Sequence, residues 1–501
     1  MRTVQGAALD GLRARVRALA ARRRPERVGR SPRSEALLAD RGPALPGPGA
    51  GGPDRRTFVG PSFRYAAAAP RSTGRAPLAP LADLGELLRG LARSRPGEVR
   101  ASAAALRALR ARHGDAPALL RTRSGRTVLV LLDPQDLRRF YAEPVSVLAA
   151  ALPGKCRGSL PEESADSDSG CARSEPGAGR RQVSAEVLAA DLPVHPSCGP
   201  FLAALAEEAR HLAAAPTLDL ARTRYTVHRA ARRIVLGDAA AGDEELTGWL
   251  TQLRAEGGGP RGGRVRAARS ARSVQDKARA RIEEYAARAG EDTLAGRAAR
   301  HADPTGSLDP VGQAQHWLLA MDAVPETLLR TLLLLGAHPA EQDLAAAEAV
   351  AEVAAGADRG RLPRLRACVR ESLRLYPVVP DLIRVTRAET EWRGVRYPAG
   401  TSVLLPVAFH QRDPERVPAA HVFVPGRWKN PGADQDMRMA PFSHGAGRCP
   451  GDQLGLMMTA ALCAAVLRSR RVAGTRPVLD PVGPLPATLD PHGIRLTLTR
   501  R

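Results

Sequence analysis

From Pro441 to Gly451 the chain reads "PFSHGAGRCPG". Three glycines and two prolines surround one cysteine, with Arg448 directly before it and His444 earlier in the loop. Such a loop either buries an inert sulfur or holds a reactive one out toward a ligand. Glycines permit backbone angles that other residues resist and allow close approach to a flat group. The neighbouring sequence has to decide between the two.

Upstream, "FVPGRW" (Phe423–Trp428) places Arg427 in a Pro/Gly-rich loop. Further back, "PRLRACVRESLRLYP" reads as a helix in which Glu371 and Arg374 stand one turn apart and share a face. Alone, a Glu/Arg pair is a common surface pattern. A carboxylate followed in order by two arginines and a glycine-bracketed cysteine is far less likely by chance. Short strands are expected in "IRVTRAETEWRGVRYPAGTSVLLPVAF", a helix in "DQLGLMMTAALCAAVLRS", and a hairpin-like end in "ATLDPHGIRLTLTRR".

The bulk numbers narrow the function. The 501 residues are 44% apolar, enough for a large core, and only 3% aromatic. A net charge of +23 would ordinarily suggest a nucleic acid or an anionic surface. The basic residues are almost all arginine and the apolar ones mostly alanine, so GC-rich coding accounts for much of that charge. No aromatics interleave with the arginines as a single-strand stacking platform requires. The six cysteines (Cys156, Cys171, Cys198, Cys368, Cys449 and Cys463) form no CxxC pair, which argues against a disulfide scaffold or a structural zinc site. No run reaches the roughly 18 apolar residues of a membrane span.

The N-terminal 1–60 reads as a flexible leader rich in arginine, proline and glycine, with residues 61–501 as one domain. Helices are expected in "LADLGELLRGLA" and "ASAAALRALRARHG", then a strand and a helix in "RTVLVLLDPQDLRRFY" beginning after Asp133. Residues 152–181 and 256–275 read as loops. Between them lie the helical "CGPFLAALAEEARHLAAA" and "RYTVHRAARRIVLGDAA". A long apolar stretch follows from about Gln313 to Leu335, interrupted by Pro325, which removes an N–H and should free the carbonyl of Met321.

With these motifs in hand, the chain resembles the cytochrome P-450 superfamily of haem-thiolate monooxygenases, closest to soluble bacterial members. The likeness rests on Glu371-x-x-Arg374, on Phe423-x-Pro425-x-Arg427-Trp428 and on Phe442-x-x-Gly445-x-x-x-Cys449-x-Gly451. It is firm over 310–501. It implies a mainly α fold, a helix-rich triangular prism with a minor β part. It also implies haem b with Cys449 as the axial thiolate, whose electron donation favours O–O cleavage. Phe442, Gly445 and Gly451 would shape the proximal cradle, while Glu371, Arg374 and Arg427 are structural. Partners implied are a small organic substrate and a ferredoxin with its reductase and NAD(P)H, on a cytoplasmic monomer without nucleic acid or a membrane span. A mitochondrial location is the alternative if residues 1–30 are a transit peptide.

Three positions depart from the family pattern. The arginine usually found two residues before the cysteine is Gly447 here, leaving Arg448 either to contact a haem propionate or to face the proximal surface. Arg384 fits the family's other propionate arginine. In "EPGAGRRQVSAEVL" Arg180 matches the family's early haem-contacting arginine, but Pro176 replaces the usual aromatic. The family's proton-delivering acid–alcohol pair has two possible registers, Asp322 followed by Ala323, or Glu326-Thr327; the first keeps the usual distance to the helix end. Arg448, Arg427 and Arg412 are expected to offer a basic face to an acidic ferredoxin. The departures leave room for a peroxide-using or catalytically weak haem protein, and the charge for a basic nucleic-acid-binding one.

Overall fold

Asp133 accepts the N–H of Gln135 at 2.7 Å, and Pro134 follows at the first helical position, so the strand β3 (Thr127–Val130) gives way to helix α1 (Pro134–Ala142) where the sequence signals a cap. The computed structural model describes residues 63–65, 103–104, 106–111, 114, 116–122, 127–144, 146–150, 175–257, 264–301, 309–354 and 360–501. The expected leader at 1–60 lies outside the described residues.

Twelve further α-helices follow α1 among the described residues. They are α2 (Glu175–Val187), α3 (Cys198–Ala214), α4 (Leu220–Leu236), α5 (Glu244–Gly257), α6 (Arg264–Ala286) and α7 (Leu294–Ala299). Next come α8 (Pro310–Ala320), α9 (Ala323–Ala337), α10 (Pro339–Ala351), α11 (Pro363–Leu375), α12 (Val407–Gln411) and α13 (Asp452–Leu467). Helix α13 is apolar almost all round, with Leu456, Met457, Met458, Leu462 and Cys463 inaccessible to solvent. A helix of that kind has to be enclosed, and α3, α9, α10 and α11 pack against it. Its core continues through Leu332–Leu335 of α9 and Val227, Ile234 and Val235 of α4.

A six-stranded sheet runs in the order β1-β2-β3-β9-β6-β4, with β1 Phe63–Tyr65, β2 Ala118–Thr122, β4 Leu148–Ala150, β6 Leu382–Thr386 and β9 Ser402–Leu405. β3 and β9 pair in parallel, Val128 opposite Ser402, while the other pairings are antiparallel. β7 (Thr390–Trp392) and β8 (Val395–Tyr397) form a local hairpin.

Several expectations need correction. The segment read as a loop to residue 181 is helical from Glu175, and the one read as a loop to 275 is helical from Arg264. The chain end is no local hairpin: β11 (Arg495–Arg500) pairs with β10 (Arg470–Arg476), Arg500 opposite Arg470, and with β5 (Thr217–Leu218). The apolar stretch breaks near Pro325 as expected, α8 ending at Ala320 and α9 starting at Ala323. The Met321 carbonyl is not left free, however. It accepts the Val324 N–H at 3.0 Å, a tighter 3₁₀-type bond that absorbs the loss of the proline donor.

Candidate active site

Glu371 and Arg374 of α11 have no solvent exposure. The Arg374 guanidinium donates to both Glu371 oxygens, at 2.9 and 2.8 Å, and to the carbonyls of Gln411, Ala420 and Val422. Arg427 Nε and the Val424 N–H donate to Oε1 at 3.1 and 3.0 Å, and the Trp428 indole donates to Oε2 at 2.9 Å. The two motifs far apart in sequence therefore meet on one carboxylate. A buried ion pair is tolerable only when its remaining donors and acceptors are filled, and here they are.

Next to this cage lies the cysteine loop. Gly445–Gly447 make one 3₁₀ turn, and the Cys449 N–H donates to the Phe442 carbonyl at 2.9 Å. Gly445 has φ +59, and a Cβ there would overlap the Tyr141 carbonyl oxygen, so glycine is obligatory on two counts. Phe442 packs on Val369 and Leu373 of α11 and Leu456 of α13. Cys449 itself is exposed, three residues ahead of the N-terminus of α13. Protein nevertheless crowds it on the other sides, and this burial pushes its thiol up. The Gly451 N–H pulls the other way, Asp452 adds to the rise, and Arg181 and Arg448 oppose it.

Two arginines flank the loop from outside it. Arg384 of β6 is buried, donates to the Phe140 carbonyl and lies over the Phe140 ring, 4.3 Å from its centroid. A Cβ on Gly447 would stand 2.7 Å from Arg384 Nη2. The unusual glycine thus leaves the space in which Arg384 lies against the loop. Arg181 of α2 donates to the Arg448 carbonyl and feels the Cys449 sulfur. Burial lowers the pKa of both guanidinium groups, and Arg181 also acts against Arg384. Like charges gathered beside a buried face suit an anionic ligand.

The sequence pointed to Arg180; its backbone is in α2, and its side chain lies outside the described residues. It was Arg181 that sequence reasoning missed, because the segment was read as a loop and so had no helical phase to separate the two arginines. Arg448 turns toward α13 and pairs with Asp452 at 2.7 Å, half-exposed. The expected basic face loses two members. Arg412 is buried, donating to the carbonyls of Leu485 and Pro486, and Arg427 serves Glu371.

Asp322 sits in the turn between α8 and α9, where it accepts from His228 Nε2 at 2.9 Å and pairs with Arg254. Glu326, one turn on, pairs with Arg224 at 3.3 Å and Arg330 at 3.6 Å. Thr327 is buried and donates its hydroxyl to the Ala323 carbonyl at 2.8 Å. The partners of Asp322, His228 and Arg254, were not foreseen; nothing in "RYTVHRAARR" distinguishes His228 from a surface histidine.

Comparison with known proteins agrees with this arrangement. Residues 320–482 match the family model described as Cytochrome P450. The chain is 36% identical over 186 residues to the cyclooctat-9-en-7-ol 5-monooxygenase of Streptomyces melanosporofaciens, covering 34% of this chain and 40% of that protein. It is 30% identical over 178 residues to the mitochondrial sterol 26-hydroxylase of Mus musculus, 33% of each. The chain therefore spans less than half the length of these curated relatives. A solved structure, the cyanobacterial CYP120A1 with retinoic acid bound, superposes with a TM-score of 0.63 at 15% identity, over 79% of this chain and 94% of that one. Residues 320–482 thus resemble the cytochrome P450 family, and the fold is similar to that of a solved P450. P450 proteins carry haem on a cysteine thiolate. The residues present fit that group: an exposed cysteine, a loop where glycines exclude side chains, and the buried Arg384 with half-buried Arg181 beside it. No described helix is long and apolar enough to cross a membrane.

Proposed function

We propose that the protein is a haem-thiolate monooxygenase that oxidises a small organic substrate, with Cys449 as the iron ligand. The observation that carries the proposal is the exposed Cys449 thiol, fixed by the Phe442 carbonyl and served by the Gly451 N–H at the head of α13. Haem, when bound, supplies the activation of dioxygen with two electrons from a redox partner.

This chain's residues do the rest. The Gly451 N–H stabilises charge on the sulfur, and the positive end of α13 adds to it. Arg384, with Arg181, is placed for the haem carboxylates. Phe442 closes the space behind the loop against water. Asp322 is the acid of the proton supply, favoured over Glu326-Thr327 by its place at the helix break. An electron donor of the ferredoxin type would dock on the Cys449 side, where half-exposed Arg448 remains after Arg412 and Arg427 are accounted for.

A second reading keeps the haem but uses hydrogen peroxide, and the absence of an alcohol at Ala323 favours it. Oxygen uptake with NAD(P)H, a ferredoxin and its reductase, set against turnover with peroxide alone, separates the two. For the haem-thiolate assignment the test is the reduced, carbon-monoxide-bound spectrum. A band at the thiolate-ligated position that vanishes in Cys449→Ala is the expected result. A histidine-type band, or none, overturns it.

A further inference from the structure

A cavity of about 30 Å³ lies between α4, α5 and the α8–α9 break, with room for one or two water molecules. Its wall includes His228, Thr247, Thr251, Arg254 and Asp322. His228, part of that wall, directs Nε2 at Asp322 Oδ1, 2.9 Å away, a bond that does not use Nδ1. Arg254 pairs with the same carboxylate and donates to the Leu319 carbonyl, so it pins the end of α8. The acid thus lies between the helix break and a polar, water-sized space.

We propose that His228 is a relay residue, passing protons from this cavity to Asp322. The inference rests on the reading of Asp322 as the proton-delivering acid. In the step, the Nε2–H bond breaks as an O–H bond forms on Oδ1. Nδ1 takes up a proton from cavity water, which is restored from bulk solvent, and no electrons move. The ring then carries its hydrogen on Nδ1, and it is reset by turning Nε2 into the cavity, where water protonates it as Nδ1 returns its proton to solvent.

The charged groups facing His228 are Arg224 and Arg232 on its own helix, Glu244 and Arg254 from α5, and Asp322 from the α8–α9 turn, with Glu326 behind Arg224. Burial first, then Arg232, Arg254 and Arg224, lower its pKa to about 4, outweighing Glu244. The ring is therefore neutral at physiological pH. A neutral imidazole has one donor and one acceptor, which is what a two-sided transfer needs.

The test compares His228→Gln with His228→Phe in the haem-loaded protein. Glutamine keeps an N–H for Asp322 but has no second ring nitrogen to take up a proton. A relay predicts that both variants raise several-fold the share of reducing equivalents lost as hydrogen peroxide, and enlarge the solvent deuterium effect. Nitrogen-15 NMR of histidine-labelled wild-type protein should show, besides the buried His410, a neutral Nε2-protonated ring down to about pH 4 whose signal is lost in both variants. Wild-type behaviour of His228→Gln, or an imidazolium form persisting near pH 6.5, overturns the relay. The carbon-monoxide spectrum of the same samples separates the two readings. An intact thiolate band with unchanged peroxide loss defeats the relay alone, whereas a missing band defeats the haem assignment and the relay with it.

Discussion

Glu371 and Cys449 both lie in the last third of the sequence and are both served by backbone N–H groups, yet they meet water in opposite ways. Glu371 is sealed: two guanidinium groups, an indole and the Val424 N–H converge on a carboxylate with no exposure. Cys449 is open, carried by a loop whose glycines keep side chains away from it. The difference separates scaffold from site. Polar groups that complete one another inside the protein hold it together, while a polar group left facing outward from a rigid turn is waiting for something the chain does not supply.

The comparison breaks most visibly at the cage. Glu371→Gln leaves Arg374 and Arg427 buried without their counter-charge, and should cost about 3–5 kcal/mol in urea unfolding. A cost below about 1 kcal/mol would mean that the cage is not what holds α11 to the Phe423–Trp428 loop.

His410, beside the cage in α12, is the next largest. It is buried, donates Nε2–H to the Leu131 carbonyl at 2.9 Å, and burial lowers its pKa to about 4. Its unfolded pKa is near 6.5, so the unfolded chain binds the extra proton first. The stability it contributes is fully present above pH 6.5 and is lost as pH falls toward 4, by roughly 3 kcal/mol in all. His410→Asn should flatten the pH dependence of the unfolding free energy between those limits. An unchanged slope would show that His410 is not the group responsible.

At the loop the effects on stability shrink as those on ligand binding grow. Gly445→Ala forces a side chain at positive φ against the Tyr141 carbonyl, and should cost about 1–3 kcal/mol. Haem retention should fall while circular dichroism still reports the helices; undiminished retention would uncouple the turn from the site. Cys449→Ala, measured without haem, should move the unfolding midpoint least, within about 0.5 kcal/mol, because the side chain is exposed. A larger loss would mean that the sulfur belongs to the scaffold after all.

What could be read from the sequence followed how local its causes are. The capped start of α1, the Glu371/Arg374 face and the glycine turn are all set within a few residues, and each was visible. That Arg427 could fold back on Glu371 was visible because the Pro/Gly-rich loop around it announces a turn. Partners brought in from elsewhere were not visible. Arg412 looks like any surface arginine until the carbonyls of Leu485 and Pro486 are seen around it. The pairing of β11 with β10 and β5 has no local signal, and α2 was hidden by a Gly/Pro-containing start that reads as a loop. His228 acquires its partner only when α4 is laid against the α8–α9 turn.

The parallel match of β3 with β9 has a consequence for how the molecule is made. Helices α1 to α11 must leave the ribosome before β9 can join β3 and the central sheet can close. Pairings of such long sequence separation form slowly, and exposed strand edges favour aggregation in the meantime. The segment bearing Cys449 is synthesised later still, so the proposed haem would be captured only after all the strands of the central sheet have been made. Slower translation at low temperature, with haem precursors present from the outset, is therefore the regime in which this protein should be produced in active form.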